Sequence, residues 1–310
     1  MNPAPVPPAL AVAVIVGGLG LGAWVFVLLD RAATDLVSGR RPSVRPLAPL
    51  RRASFLLVQQ RAETERPDRA VWMLAPALYV AFAAVGAAVV PWSARLAPAD
   101  VPVGIVLWGG VEALAIVAVF LHGWSANAPV ALVGAYRFVA LGLCFMLVSM
   151  FVLIAAALPA ESLRLSAIVA SQRGLWNVVR QPLGLPLFLF VGLGLTFRGP
   201  LDFADSADLA GGVAAEVSGP SLLVWETGRA AMAVAFSAMA AAVFLGGWLG
   251  PWLPGPVWLG LKTLFVMALM AGLGRSTARL RTESAVTLVW VGLLPLSFLG
   301  LAVVGLEVLR

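Results

Sequence analysis

Residues 182–249 read PLGLPLFLFVGLGLTF (182–197), RGPLDFADSADLAGGVAAEVSGP (198–220) and SLLVWETGRAAMAVAFSAMAAAVFLGGWL (221–249). An apolar run enters a charged segment and another apolar run leaves it. Between Phe197 and Arg229 lie Asp202, Asp205, Asp208, Glu216 and Glu226, five of the fifteen acids in the chain. Carboxylates do not enter hydrocarbon without a partner. The pattern therefore describes two membrane helices joined by an acidic segment at the membrane surface.

The rest of the chain repeats the apolar half of that pattern. Hydrophobic residues make up 61% of it and charged residues 12%, against about 25% charged in soluble domains. Several runs exceed the roughly 18 apolar residues that mark a bilayer span. No series of short alternating segments suggests a transmembrane barrel. The fold class is an all-α polytopic membrane protein, with about eight transmembrane helices forming a single membrane domain over residues 1–310. One cysteine (Cys144) and one histidine (His122) exclude a cysteine-ligated iron–sulfur cluster and a disulfide framework, and disfavour haem. The expectation is a chain with no metal, cofactor or redox centre of its own. Its net charge of +6 points to topology and lipid rather than nucleic acid.

In order, the first helix is expected over about 9–29, closed by Asp30-Arg31. MNPAPVPPAL at the N-terminus has no Lys or Arg, so that helix is expected to be retained rather than cleaved. Residues 30–69 carry nine arginines against five acids. Within them, LRRASFLLVQQR (50–61) sets Leu50, Phe55, Leu56, Leu57 and Val58 among Arg51, Arg52 and Arg61. Too short to span, it suits an amphipathic helix lying in the interface. Further helices are expected over about 70–92, 101–122, 130–158, 182–197, 221–249, 257–273 and 285–309, with a polar connection over 161–181. The loops after helices one, five and seven hold thirteen arginines, whereas the opposite side holds Arg95, Arg164, Arg173, Arg180 and Arg310. By the positive-inside rule the 30–69 loop, the 198–220 acidic loop and the 275–283 link are cytoplasmic, and both termini face outward, to the periplasm.

Polar groups also enter the membrane: Glu112, Arg137, Glu226, Arg229 and Lys262. Acid–base series leading inward from a surface are the usual material of proton relays, because burial and neighbouring charge displace a carboxylate's pKa. The plainer reading is that each cation is a paired structural charge, that Glu112 faces a subunit interface or an arginine, and that the acidic loop docks a soluble partner.

The ordered motifs carry a resemblance. LLDR (28–31), LAPALYVAFAAVGAAVVPW (74–92), GWSANAPVALVGAYR (123–137), FRGPLD (197–202), EVSGP (216–220), LKT (261–263), RLR (279–281) and LLPLSF (293–298) together resemble the H subunit of NADH-quinone oxidoreductase, the NADH dehydrogenase subunit 1 family. Relatives occur in membrane-bound group 4 hydrogenases, and the spacing before EVSGP is nearer to theirs. The resemblance implies a component of a complex-I-like respiratory translocase in the bacterial plasma (inner) membrane. Its implied partners are iron–sulfur subunits of a hydrophilic arm, antiporter-like and small membrane subunits, lipid, and quinone as the substrate of the complex. Asp30, Arg31, Arg51, Arg52, Phe55, Arg198 and Arg279 would shape a quinone chamber. Asp202, Asp205, Asp208, Glu216, Glu226, Glu112, Arg137, Arg229 and Lys262 would serve coupling. The chain departs from the family where Met146 and Leu195 replace buried glutamates, Val291 replaces a lysine, and Gly211-Gly212 replace larger residues. A hydrogenase anchor subunit and a stand-alone ion transporter are the alternatives; the lack of an internal repeat weighs against the second.

Overall fold

The computed structural model describes residues 4–5, 7–42, 45–62, 64, 66–205 and 211–309. Eight helices are long and apolar enough to cross a membrane. They are α1 (Pro8–Val37), α3 (Arg69–Ala88), α4 (Gly104–Ser125), α5 (Pro129–Ala157), α8 (Gly184–Leu195 and the turn after it), α9 (Gly219–Phe244), α10 (Gly255–Ser276), and the pair α11 (Thr282–Leu288) and α12 (Leu294–Val308), continuous through a π-helical turn at Val289–Leu293. Between them lie the short helices α2 (Ala48–Val58), α6 (Leu165–Ser171) and α7 (Asn177–Arg180). A two-residue parallel pair, β1 (Ala4–Pro5) and β2 (Leu96–Ala97), joins the N-terminus to the α3–α4 loop.

Helix starts follow local chemistry. Prolines stand in the first turn of α5, α9 and α10, where a missing N–H costs nothing. Asp68 caps α3 by accepting from the Val71 N–H at 3.2 Å, as an N-cap carboxylate does.

α9 is the central post. It packs against α1, α2, α3 and α10, and Ala230, Ala231, Ala233, Ala235 and Ala240–Ala242 let neighbouring backbones close on it. α1, α10 and α12 instead turn Leu21, Phe265, Phe298 and Val303 outward, as helices facing lipid or other subunits do. Successive spans alternate in direction, so the 38–68, 126–128, 196–218 and 277–281 connections share one end of the bundle, called here the near end.

The structure moves the end of helix one and details the 161–181 connection. Asp30-Arg31 does not close the first helix, which runs to Val37. Asp30 is 9% exposed and neutralised by Arg198 and Arg275, so the helix can carry it past the hydrocarbon edge. The polar 161–181 connection contains two short helices, α6 and α7, and its amides are buried. Gln172 donates to Ala242 O (3.0 Å) and accepts from Gly246 N (2.9 Å), while Asn177 donates to Val243 O (2.9 Å) and Ala156 O (3.3 Å). These bonds satisfy carbonyls at the ends of α5 and α9, where an unpaired group in a dry site is costly.

Candidate functional site

The near end gathers the charges that are scattered in the sequence. Asp30 on α1 receives Arg198, just after α8, at 2.9 Å and Arg275, on the last turn of α10, at 3.0 and 2.5 Å. One carboxylate thereby ties three spans. Arg198 also lies over the Phe26 ring, 4.7 Å from its centroid. Next along the segment, Asp202 pairs with Arg279 of the 277–281 link at 2.8 Å. Asp205 lies deeper: it is buried, receives the Trp225 indole N–H at 2.8 Å, and forms an ion pair with Arg229. Burial pushes the Asp205 carboxyl above the usual carboxylate range, against the opposing pull of the Arg229 guanidinium and the Trp225 N–H. Arg229 also donates to Phe197 O at 2.9 Å.

The segment is held on an aromatic bed. Phe197 stacks on Phe138 at 4.5 Å and lies 5.7 Å from Trp225; Tyr79 lies 5.4 Å from Trp225 and donates its hydroxyl to Leu195 O at 2.6 Å. Phe197 has φ +56°, the left-handed region, which for a bulky residue stores about 1–3 kcal/mol and persists only where surroundings overdetermine it. That turn aims Arg198 at Asp30 and exposes Phe197 O to Arg229. Farther on, the 211–213 backbone lies against α5: a Cβ on Gly134 would fall 2.5 Å from Gly212 Cα. Gly211, at φ +93° with an added Cβ only 3.0 Å from Val130 O, has no easy place for a larger residue, and Arg137, one turn along α5, donates to Gly211 O at 3.1 Å.

The segment expected to form an interfacial helix is helical, as α2, and packs against α9. Leu56 is buried, while Leu50, Phe55, Leu57 and Val58 face outward. Arg52 reaches Glu226 on α9 at 2.9 Å, both half-exposed. A cleft of about 190 Å³ opens between α1, α2 and α9, lined by Trp24, Val27, Leu50, Arg52, Leu223 and Glu226. Arg31 and Arg51 lie on this same near end, and Glu216 is half-buried in the turn before α9. Asp208 lies outside the described residues.

The intramembrane groups do not form one continuous file. Glu112, 1% exposed at mid-span, accepts from Trp108 Nε1 at 2.7 Å and from Ser149 Oγ at 2.9 Å, both on its Oε1; among the described residues its Oε2 has no partner. It meets neither an arginine nor an outer face, contrary to the plainer expectation. Lys262 belongs to the opposite end. Its ammonium donates to Leu249 O at 2.6 Å and lies 4.4 Å from the Trp176 ring centroid. Leu195 is buried hydrocarbon where the resemblance implies an acid. Sequence reasoning also passed over His122, which stacks on Trp225 at 4.3 Å; its only signal was being the single histidine. Among the described residues, no group of His, Cys, Asp and Glu is placed to hold a metal ion.

The family model described as NADH dehydrogenase matches residues 11–305. The chain belongs to the NADH dehydrogenase H-subunit family. It is 33% identical over 312 residues to the NADH-quinone oxidoreductase H subunit 1 of Rhodopseudomonas palustris (strain HaA2), covering 97% of this chain and 96% of the relative. The H subunit 1 of strain BisB5 is 34% identical, covering 92% of each. The H subunit 2 of Cereibacter sphaeroides (strain ATCC 17029 / ATH 2.4.9) is 35% identical over 80% of this chain and 79% of its own length. This H-subunit family member is thus a multi-pass membrane protein with relatives in bacteria.

Proposed function

We propose that this chain is the membrane subunit of a complex-I-like respiratory oxidoreductase that joins an iron–sulfur arm to antiporter-like and small membrane subunits. It contributes no redox centre, helps to form the quinone-access chamber, and couples quinone reduction to proton translocation. One observation carries the reading. The cleft between α1, α2 and α9 ends at the Arg52–Glu226 pair, and Glu226 stands three residues before Arg229, which holds the buried Asp205. Residues at that spacing share a helix face. A quinone headgroup arriving in the cleft thus sits one helical turn from a buried ion pair whose proton occupancy it can bias.

In this reading the near end is cytoplasmic, both termini are periplasmic, and the membrane is the bacterial inner membrane, as the arginine excess of the near-end loops supports. Asp30, Arg31, Arg51, Arg52, Phe55, Arg198 and Arg279 line or brace the quinone side. Asp202, Asp205, Asp208, Glu216, Glu226, Arg137 and Arg229 form the coupling side, with Glu112 deeper and Lys262 bracing the far end.

Purification from the native membrane tests the assignment: iron–sulfur and antiporter-like subunits should co-purify, with quinone-dependent turnover. Recovery as a lone chain would overturn it, and a nickel-binding partner without quinone reduction would assign the hydrogenase-type complex instead. Leu50→Glu, a charge placed in the wall of the cleft, should impair quinone-dependent turnover in the assembled complex.

A further inference from the structure

The α3 side of α9 carries two adjoining clefts that the quinone reading does not use. The first, of about 220 Å³, is lined by Arg61, Arg69, Trp72, Met73, Ser218 and Ser221. The second, of about 110 Å³, shares Arg61, Trp72, Met73 and Ser221 and adds Pro76, Pro220 and Val224. One is polar and cationic, and its neighbour is chiefly apolar. Among the described residues no carboxylate lines either cleft. Asp68, one residue before Arg69, is turned to its own helix, where it accepts the Val71 N–H.

The cationic cleft has a fixed wall. Ser218 accepts the Ala62 N–H at 2.7 Å, and Gly219, at φ +61°, lies so close to the preceding segment that an added Cβ would fall 2.8 Å from Gln59 O. The residues after α2, Arg61 among them, are thereby clamped to the start of α9. Depth then decides what the clefts suit. Arg69 is the first residue of span α3 and Ser221 stands in the first turn of span α9, so both lie where the spans leave hydrocarbon. Pro76 lies about 10 Å farther along the α3 axis than Arg69. Met73 is 65% exposed and Val224 42%, so the rim of the apolar cleft faces outward from the bundle. Cations at the surface with hydrocarbon below them match an amphiphile oriented as a bilayer lipid is, and basic pockets between spans suit anionic headgroups. A free anion would leave the apolar half unfilled.

We propose that these clefts bind one anionic phospholipid of the near-end leaflet. Its phosphate is met by the Arg61 and Arg69 guanidiniums, whose N–H donors fit phosphate oxygens, and by the Ser221 hydroxyl. An acyl chain lies along Met73, Pro76 and Val224. Bound there, the lipid ties the segment after α2 to α3 and α9, on the face of α9 away from the Arg52–Glu226 cleft. The site stands on this geometry and does not rest on the function proposed above.

Met73→p-benzoylphenylalanine, introduced in the full chain and irradiated in native membranes, reads the occupant. Mass spectrometry of the α3 peptide should show an adduct with the mass of an anionic phospholipid, in excess over that lipid's share of the membrane. Adducts in proportion to bulk lipid, or none, would overturn the site, and a cross-link to another subunit would make it a protein interface instead. Arg61→Gln and Arg69→Gln, each combined with the photoreactive residue, should lower the adduct roughly fivefold apiece, while Arg61→Lys keeps most of it. An adduct unchanged by both Gln variants would remove the headgroup half. Added inorganic phosphate should compete no better than chloride at equal ionic strength; stronger competition would assign the cleft to a free anion. Should a Gln variant fail to assemble, the adduct on the chain with both arginines decides.

Discussion

The two ends of the bundle solve the same problem with opposite chemistry. Both must satisfy polar groups where helices stop at the edge of hydrocarbon. The far end relies chiefly on neutral amides, Gln172 and Asn177, bonded to the carbonyls that end α5 and α9, with Lys262 on Leu249 O and the Asp100–Arg164 pair at 2.7 Å. The near end uses a chain of ion pairs, Asp30 with Arg198 and Arg275, Asp202 with Arg279, Asp205 with Arg229, and Arg52 with Glu226. Amide bonds hold a single state over the physiological pH range. Ion pairs can exchange protons and partners when a new charge arrives, so the near end is the end built to respond.

The largest break in that contrast should come from Asp30→Ala. It leaves Arg198 in a buried position with no carboxylate, a change that costs about 3–5 kcal/mol. Thermal unfolding of the purified complex, or loss of the chain from it, reads the effect. At the far end, Asn177→Leu strands two backbone carbonyls and should cost about 1–3 kcal/mol, while protons moved per quinol stay unchanged in whatever complex assembles. A changed ratio would erase the division between the ends. Asp202→Asn should show the reverse profile. Its pair with Arg279 is half-exposed and contributes under about 1 kcal/mol, so assembly survives while coupled turnover falls; lost assembly would make it a docking residue.

The smallest effect is in pH. The folded Asp205 pKa is raised by burial, so the folded chain holds that proton more firmly than the unfolded chain. Its contribution to stability is complete below the ordinary carboxylate range, about pH 4, and is lost as the pH rises through the raised value. The melting temperature of the wild-type complex, measured relative to Asp205→Asn, should fall with rising pH. A rise would mean that Arg229 outweighs desolvation.

Much of the architecture was legible because apolar length decides membrane spans. All eight runs could be read this way, and the short helix over 50–61 with them, but not that Leu56 alone of its apolar residues is buried while Phe55 is exposed. What escaped was set by partners remote in the chain. Asp30 looked like a helix end because its cations, Arg198 and Arg275, arrive from α8 and α10. The site was legible as a cluster of acids, yet its pairing was not, since charge spacing along a loop does not say which arginine folds back. Lys262 and Arg229 look alike in sequence, two cations near apolar helix starts, but α9 and α10 run in opposite directions, which puts them at opposite membrane surfaces. Buried amides over 161–181 gave no periodic signal at all, because their partners are backbone carbonyls.

One close contact carries a last consequence. The 211–213 backbone touches α5 at Gly134 with no space for a methyl group, so the acidic segment and α5 behave as a joint machined to zero clearance. Gly134→Ala would act as a wedge there. It would lift the segment off the helix with every carboxylate and arginine still present, and separate the question of which charges matter from the question of where they must be held.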